Sequence, residues 1–259
     1  MNAEYPIEHG PRSGESIILL HGGNVGSWMW EPQVEALRGR HLITPDVIGF
    51  DTRAAERWPG LGGAADDIAA IIRERAVGGR AHVVGLSMGG VIGVHLAARH
   101  PDVVRSCMVT GAMMLGLGGI ERRVAELQLA VWERRWFWRM QAAMFRIPAD
   151  SRERFIAAGT GVSKETAHGM YGEVFAGSMP AGRFDYTGPM LAIAGEREPK
   201  SVRAAFPALA AAMPQTRTWI APRMPHVWSI QDPELFTRTI VDFVDRDVVP
   251  PTPRSRRRR

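Results

Sequence analysis

The sequence has little of what would mark a disulfide-bonded, membrane-spanning or secreted protein. Cys107 is the only cysteine among 259 residues, so no disulfide can form within the chain. No run approaches the length of about 18 apolar residues that a membrane-spanning helix requires. The first residues include Glu4, Glu8 and Pro11, with no apolar run before Ile17, so we expect no signal peptide and a cytoplasmic protein that acts away from membranes.

Positive charge is concentrated at one end of the chain. The formal net charge is +5, and five arginines lie within the last six residues, at Arg254 and 256–259. Without them the rest of the chain is formally neutral, which argues against a broad nucleic-acid-binding surface. Residues 248–259 combine proline with arginine and are predicted to form a disordered basic tail.

Short apolar runs alternate with helical segments along most of the chain, and this alternation predicts an α/β fold. We expect a mostly parallel sheet with helices on both faces. With 45% hydrophobic residues, the chain has enough apolar surface for one large domain. The predicted strands are 16–20, 41–45, 81–84, 103–110, 190–194 and 216–220. Their carboxyl ends should share one edge of the sheet, where folds of this class bind ligands.

A different pattern occupies residues 112–188. This stretch has long helical runs and many large apolar residues, and we interpret it as a helical cap inserted into an α/β core of residues 1–111 and 189–247. The inner side of such a cap faces the substrate, and methionine and tryptophan there favour a bulky apolar ligand. A spacing of four residues predicts one shared helix face for Trp132, Trp136, Met140 and Met144.

A G-x-S-x-G sequence, Gly85-Leu86-Ser87-Met88-Gly89, lies between a predicted strand and a predicted helix. In a strand–turn–helix with serine at the tip, the serine backbone adopts a positive φ. The two glycines remove side chains that would collide where strand and helix converge. Ser87 is therefore the candidate nucleophile, and the N–H of Met88 points toward the same space.

The sequence His21-Gly22-Gly23 directly follows the first predicted strand. Because the two glycines lack β-carbons, a backbone N–H in this turn can approach a substrate closely, which suits an oxyanion hole. Both this turn and Ser87 follow predicted parallel strands, so we expect them at the same edge of the sheet.

A serine hydroxyl is a weak nucleophile at neutral pH and needs a base, supplied by an imidazole that a carboxylate orients. Of the eight histidines, only His226 lies in a loop at the carboxyl end of a late predicted strand, so it is the candidate base. The candidate acids, Glu196 and Glu198, follow strand 190–194. Activity should then rise between about pH 6 and 7, as the imidazole loses its proton.

Together these motifs resemble the α/β-hydrolase superfamily over roughly residues 16–247. The matching pieces are His21-Gly22-Gly23, Pro45-Asp46 with Gly49, Gly85 to Gly89, Gly195 to Glu198, and His226. The resemblance implies an α/β-hydrolase fold with a sheet of about six to eight strands. Because little chain precedes Ser16, the leading antiparallel strands of the family should be reduced to one or none. A serine nucleophile separates the chain from the dehalogenase and epoxide-hydrolase branches, which attack with a carboxylate.

The resemblance also implies roles for individual residues. Gly23 and Met88 would supply the oxyanion-binding N–H groups. Glu198, three residues after the strand-ending Gly195, would be the acid that orients the histidine, with Glu196 as its rival.

The chain departs from the family pattern at two positions near this site. Where the family usually has aspartate, Glu198 is one methylene longer, so its backbone must lie slightly farther from the histidine. Pro225 precedes His226 where glycine is common, which stiffens that loop.

The leading expectation is a serine hydrolase that cleaves an ester or similar acyl bond of a moderately hydrophobic small molecule through an acyl-enzyme. We expect Gly22, Trp28, Trp136 and Met140 to contact the substrate. No metal-ligand spacing or phosphate-binding glycine loop is present, so neither a metal nor a cofactor is expected. Two alternatives stay open: C–C bond hydrolysis, lyase or cofactor-free perhydrolase chemistry by the same triad, and a homologue that binds a ligand without turnover. The sequence leaves the oligomeric state open.

Overall fold

One seven-stranded sheet forms the centre of the computed structural model, which describes residues 7–182 and 184–249. The strand order is β1-β3-β2-β4-β5-β6-β7, and every neighbouring pair is parallel except β1 with β3. The strands are β1 (Ile7–His9), β2 (Ser16–Leu20), β3 (Leu42–Thr44), β4 (Ala81–Leu86), β5 (Val104–Thr110), β6 (Met190–Gly195) and β7 (Thr216–Ala221). The predicted α/β fold and the predicted number of strands are both confirmed.

The antiparallel strand β1 is the part of the sheet that the sequence pattern did not reveal. It has three residues and pairs with β3 in the register Ile7 to Thr44. A strand this short shows no alternation of apolar and polar residues that a pattern can detect, and all three of its residues are half-buried at the sheet edge. One leading antiparallel strand within the described chain agrees with the expectation of one or none.

Most of the helices lie in the connections between successive strands, and α10 and α11 follow the last strand. They are α1 (Glu31–Ala36), α2 (Gly60–Arg75), α3 (Met88–Arg99), α4 (Gly119–Ala130), α5 (Arg135–Met144), α6 (Arg152–Gly161), α7 (Lys164–Ala176), α8 (Lys200–Ala204), α9 (Phe206–Ala212), α10 (Trp228–Gln231) and α11 (Pro233–Arg246). The chain crosses from β2 outward to β3 and then back to β4, and right-handed crossovers in opposite directions place their helices on opposite faces. Accordingly, α1 contacts α11, whereas α2 packs against α3.

Helices α4 to α7 all lie between β5 and β6, and we call residues 119–176 the helical insert. Of the four residues expected on one helix face, Trp136, Met140 and Met144 share the exposed face of α5, whereas Trp132 is buried in the turn after α4. The buried face of α5 consists of Phe137, Trp138, Gln141 and Ala142. Because bulky apolar residues occur on both sides of α5, their spacing alone did not identify the side that packs inward.

The arginine-rich part of the predicted tail, residues 250–259, lies outside the described residues. Residues 248–249 follow the end of α11. Within the described chain, no helix combines the length and the apolar character needed to cross a bilayer.

Candidate active site

Ser87 lies at the tip of the turn between β4 and α3, with φ of 56° and ψ of −117°. The predicted positive φ is thus observed. A β-carbon at Gly85 would lie 2.3 Å from the carbonyl oxygen of Gly89, and one at Gly89 would lie 2.2 Å from the carbonyl oxygen of Leu20. Such distances are far below van der Waals contact, so only glycine fits at either position. The backbone N–H of Ser87 donates to the carbonyl oxygen of Thr110 at 2.8 Å, which holds the turn against β5.

The turn after β2 lies directly against Ser87. A β-carbon on Gly22 would stand 3.5 Å from Cβ of Ser87, and one on Gly23 would stand 4.0 Å from Cβ of Met88. Met88 is the first residue of α3, so its N–H is among the helix-start donors that have no acceptor within their own helix. Gly23 and Met88 therefore lie side by side next to the serine.

His21 fixes the shape of this turn. Its Nδ1–H donates to the carbonyl oxygen of Gly22 at 2.7 Å, and its Nε2 accepts from the N–H of Val47 at 2.9 Å. Both bonds require the neutral imidazole, and burial of the ring lowers the pKa of His21. His21 thus holds the turn that contains Gly22 and Gly23 in shape, with both of its ring nitrogens bonded to the backbone.

The structure brings His226 and Glu198 together and separates Glu196 from them. Nδ1 of His226 lies 2.5 Å from Oε1 of Glu198, whose side chain is 1% exposed. The other carboxylate oxygen, Oε2, accepts the N–H of Gly195 at 2.6 Å. Glu196 is exposed, and its Oε2 accepts the N–H of Arg223 at 2.6 Å, so it closes the neighbouring loop. Glu198 is therefore the carboxylate in contact with the histidine.

A cavity of about 150 Å³ lies between the sheet edge and the helical insert. Ser87, His226, Gly22, Gly23 and Trp28 all line it. Among the described residues that line the cavity, none is Asp, Glu, Lys or Arg. The insert contributes seven aromatic side chains to this lining: Trp132, Phe137, Trp138, Phe145, Phe155, Tyr171 and Phe175.

A profile of the "Alpha/beta hydrolase family" matches residues 17–239, which is most of the chain. The chain belongs to the α/β hydrolase family. An "AB hydrolase superfamily protein" of Gibberella zeae is 37% identical over 105 residues, covering 40% of this α/β hydrolase and 37% of that protein. A "Pimeloyl-[acyl-carrier protein] methyl ester esterase" of Aeromonas hydrophila is 30% identical over 102 residues, covering 38% of each chain. The chain thus spans less than half the length of the curated relatives that it matches.

Solved structures resemble this α/β hydrolase over nearly its whole length. A thermophilic esterase from Thermogutta terrifontis superposes with a TM-score of 0.71 at 20% identity, covering 92% of this chain and 91% of that chain. At that identity the likeness shows a shared fold.

Two residues expected to contact the substrate of this α/β hydrolase lie elsewhere. Trp136 and Met140 are 56% and 52% exposed and do not line the cavity. The cavity is lined instead by Phe137 and Gln141, each one position after an expected residue, and by Trp138, which lies between them on the buried face of α5. A one-residue change rotates a helical side chain by about 100°, so assigning the wrong face exchanges inner and outer residues.

Gly111 is a site residue of this α/β hydrolase that the sequence reasoning missed. It follows β5 with φ of +66°, and a β-carbon there would lie 2.8 Å from Cε1 of His226 and 3.0 Å from Oε1 of Glu198. The histidine–glutamate pair therefore packs directly on this glycine. The available signal was a glycine directly after a predicted strand at the same sheet edge as Ser87.

Among the described residues, two hydrogen-bonded serine–histidine–glutamate chains lie away from the cavity. Ser106 Oγ lies 2.8 Å from Nδ1 of His82, and Nε2 of His82 lies 2.8 Å from Oε2 of Glu15. A second chain links Ser16 to His41 at 2.8 Å and His41 to Glu8 at 3.2 Å. None of these residues lines the cavity, and Ser106 is part of β5 rather than of a strained turn. Because these serines have the same kinds of partner but lie outside the cavity, substituting them is a control for substituting Ser87.

Proposed function

We propose that this α/β hydrolase is a serine hydrolase that cleaves an ester or similar acyl bond of a small uncharged molecule. The observation that carries the proposal is that Ser87 and His226 share one cavity while Glu198 holds Nδ1 of the histidine. Membership of a family with named esterases supports the same reaction class.

In the proposed reaction, Oγ of Ser87 attacks the substrate carbonyl carbon. Because Nδ1 of His226 is bonded to Glu198, its Nε2 takes the serine proton and then gives it to the leaving group. In the second half, the same nitrogen takes a proton from water, and the oxygen of that water attacks the acyl carbon. The bond from the acyl carbon to Oγ of Ser87 then breaks, and the imidazolium returns the proton to Oγ. The N–H groups of Gly23 and Met88 hold the oxyanion, each contributing about 3–4 kcal/mol of transition-state stabilisation.

The cavity supports an uncharged substrate with a compact apolar part. A buried charge without a partner is strongly unfavourable, and no described lining residue carries a charged carboxylate, ammonium or guanidinium. A volume of about 150 Å³ is comparable to that of an apolar cavity that encloses benzene. We therefore propose that the helical insert acts as a cap whose aromatic side chains enclose a small acyl or alcohol group.

The test is the intact mass of the protein after exposure to a fluorophosphonate probe, together with turnover of p-nitrophenyl butyrate. The wild type should gain one adduct and hydrolyse the ester, whereas Ser87→Ala should do neither. The matched control is Ser106→Ala, because Ser106 also contacts a histidine bonded to a glutamate but lies outside the cavity. Labelling that persists in Ser87→Ala would contradict the proposal.

The acid is tested by a matched pair of substitutions. Glu198→Gln should lower kcat by about 100-fold or more, because the amide no longer stabilises the imidazolium that forms in the reaction. Glu196→Gln changes the same group two residues away, where the carboxylate contacts Arg223 instead, and should keep kcat within about threefold of the wild type. The opposite ranking would identify Glu196 as the acid.

Product analysis separates ester hydrolysis from the other reactions that the same triad can perform. Release of an acid and an alcohol supports the proposal. Cleavage of a C–C bond or formation of a peracid would place the chain in another reaction class. A chain that binds an apolar ligand but gives neither adduct nor product would be a binding homologue.

A further inference from the structure

Asn24 lines the cavity and carries a buried hydrogen-bonding atom that has no partner among the described residues. It follows Gly23 with φ of 66°, a conformation that asparagine tolerates better than most residues. The residue as a whole is 8% exposed. Its Nδ2 donates to the hydroxyl of Tyr171 at 2.8 Å, but its Oδ1 has no partner among the described residues. Buried polar atoms in folded proteins are nearly always satisfied, so this oxygen calls for a ligand.

Tyr171 presents the complementary group at the same place. Its ring, on α7, packs edge to face against Trp132, with 5.3 Å between the ring centroids. The centroid of the Phe175 ring lies 5.6 Å away, so the side chain is held in position. The hydroxyl oxygen lies 3.4 Å from where a β-carbon on Gly23 would stand. Because that oxygen accepts from Asn24, its own proton is available to a ligand. Burial raises the pKa of Tyr171, so the hydroxyl keeps this proton at neutral pH.

We propose that Asn24 and Tyr171 together bind a hydroxyl group that the substrate carries close to its scissile carbonyl. The inference rests on the proposed ester hydrolysis and adds to it a substrate class, an uncharged hydroxy ester. Oδ1 of Asn24 accepts the substrate hydroxyl proton, and the Tyr171 hydroxyl donates to the substrate oxygen. The substrate hydroxyl should lie close to the carbonyl because both groups would contact the same turn. The N–H of Gly23 is proposed to bind the oxyanion, and the α-carbon of Gly23 faces Tyr171.

A hydroxyl is the group that satisfies both partners. The pair offers one acceptor and one donor, and a hydroxyl both donates and accepts. The result is the same if the Asn24 amide is turned over. Tyr171 then donates to Oδ1, while Nδ2 becomes the free donor and the tyrosine oxygen the free acceptor. An alkyl group in this place would leave both polar groups buried and unsatisfied.

The experiment compares hydroxy esters with esters in which a methyl group replaces the hydroxyl. One pair places the group on the acyl side: phenyl 2-hydroxypropanoate and phenyl 2-methylpropanoate. The other places it on the alcohol side: 2-hydroxyethyl butyrate and propyl butyrate. The measured quantity is the ratio of kcat/KM within each pair, in the wild type and in two variants, Tyr171→Phe and Asn24→Gly. Glycine at position 24 accepts the positive φ, so the turn that contains Gly23 can keep its shape.

The matched control is Tyr186→Phe, which removes the same hydroxyl from a tyrosine that donates to Pro189 away from the cavity. The wild type should prefer the hydroxy ester by about tenfold or more in one pair. Tyr171→Phe and Asn24→Gly should each bring that ratio close to one, and Tyr186→Phe should retain it.

The results that would overturn the inference are distinguishable. Ser87-dependent turnover with ratios near one in both pairs, or with a ratio that neither site variant changes, would overturn the hydroxyl site and leave the ester hydrolase intact. Absence of Ser87-dependent turnover of all four esters and of p-nitrophenyl butyrate would overturn both proposals, whereas turnover of p-nitrophenyl butyrate alone would overturn only the hydroxyl site. The wild-type ratios decide the first case even if a variant fails to fold, which thermal melting of each variant detects.

Discussion

Replacing Gly111 by alanine tests whether the packing beneath the histidine–glutamate pair sets activity. Gly111 lies beyond Ser87 in the chain and belongs to no motif, yet its α-carbon faces both side chains of the proposed acid–base pair. A β-carbon would lie 2.8 Å and 2.9 Å from Cε1 and Nδ1 of His226, and 3.0 Å from Oε1 of Glu198. Ordinary carbon–carbon contact is about 3.5–4.0 Å. Since β5 fixes the backbone, the ring has to move by roughly 1 Å.

Gly111→Ala should lower both the folding stability and the catalytic rate, and the expected sizes of the two losses differ. Holding alanine at a left-handed φ costs about 1–2 kcal/mol of folding stability. For a protein of this size that corresponds to a fall in melting temperature of about 2–8 °C. Misplacing a catalytic group by about 1 Å lowers the rate by about 100-fold, or about 2.7 kcal/mol in the activation barrier. We expect both effects, so kcat should fall far more than the loss of folded protein explains.

The assay is kcat for p-nitrophenyl butyrate, normalised to folded protein and paired with a thermal melt. Gly14→Ala is the matched control, because Gly14 has φ of +75° and no atom within 4 Å of a β-carbon. It should lose stability to a similar extent and retain kcat. A kcat for Gly111→Ala within about twofold of the Gly14→Ala value would refute the argument that contact with Gly111 positions His226.

Three other outcomes follow from the structure. Gly89→Ala should lose about 3 kcal/mol or more of unfolding free energy in urea titrations, because its β-carbon would lie 2.2 Å from a backbone oxygen of β2. Gly93→Ala in the same helix meets atoms no nearer than 3.4 Å and should lose less than 1.5 kcal/mol; equal losses would contradict this reading. Burial is the largest cause lowering the pKa values of His21 and His82, so the unfolded chain takes up protons before the folded chain as pH falls below about 6.5. The urea midpoint should therefore fall between pH 7 and 5, and a constant or rising midpoint would oppose this assignment. Burial raises the pKa of the Cys107 thiol to about 12, so a thiol reagent at pH 8 should label one cysteine in urea and none in the native protein; rapid native labelling would show that the thiol is accessible.

The nucleophile turn could be predicted from sequence because its chemistry is local. A positive φ at Ser87 and the close approach of β4, α3 and β2 require glycine at two fixed spacings, and those requirements are visible in five consecutive residues. The same holds for the turn at Gly22 and Gly23, which follows a strand directly. Where steric constraints act between residues that are close in sequence, they restrict the residue types at those positions and can be recognised from the sequence.

The choice between Glu196 and Glu198 needed the tertiary structure. Both glutamates follow β6 within three residues, so spacing alone placed both near the same sheet edge. The direction of each side chain depends on how the loop folds against the segment that carries Arg223 and His226. That segment is distant in sequence, and no local pattern encodes the contact.

The helical insert shows most clearly what hydrophobic periodicity cannot predict. The sequence indicated that residues between β5 and β6 are helical and rich in large apolar side chains, and the structure contains four helices there within the described residues. It did not identify the inner face of α5, since Trp136 and Met140 are exposed while Phe137 and Trp138 line the cavity. When a helix has bulky residues on both sides, only its packing against the rest of the protein determines which side is buried.

By itself, the sequence determined the α/β class and identified Ser87, the turn at Gly22 and Gly23, and His226 as candidates, because backbone sterics and strand ends constrain those positions locally. Only the tertiary structure decided which carboxylate meets His226, that Gly111 lies beneath the pair, and that Asn24 meets Tyr171 across 147 positions of the chain. Those contacts join segments far apart in sequence. Their geometry depends on how the sheet and the helical insert pack together, which no single segment specifies.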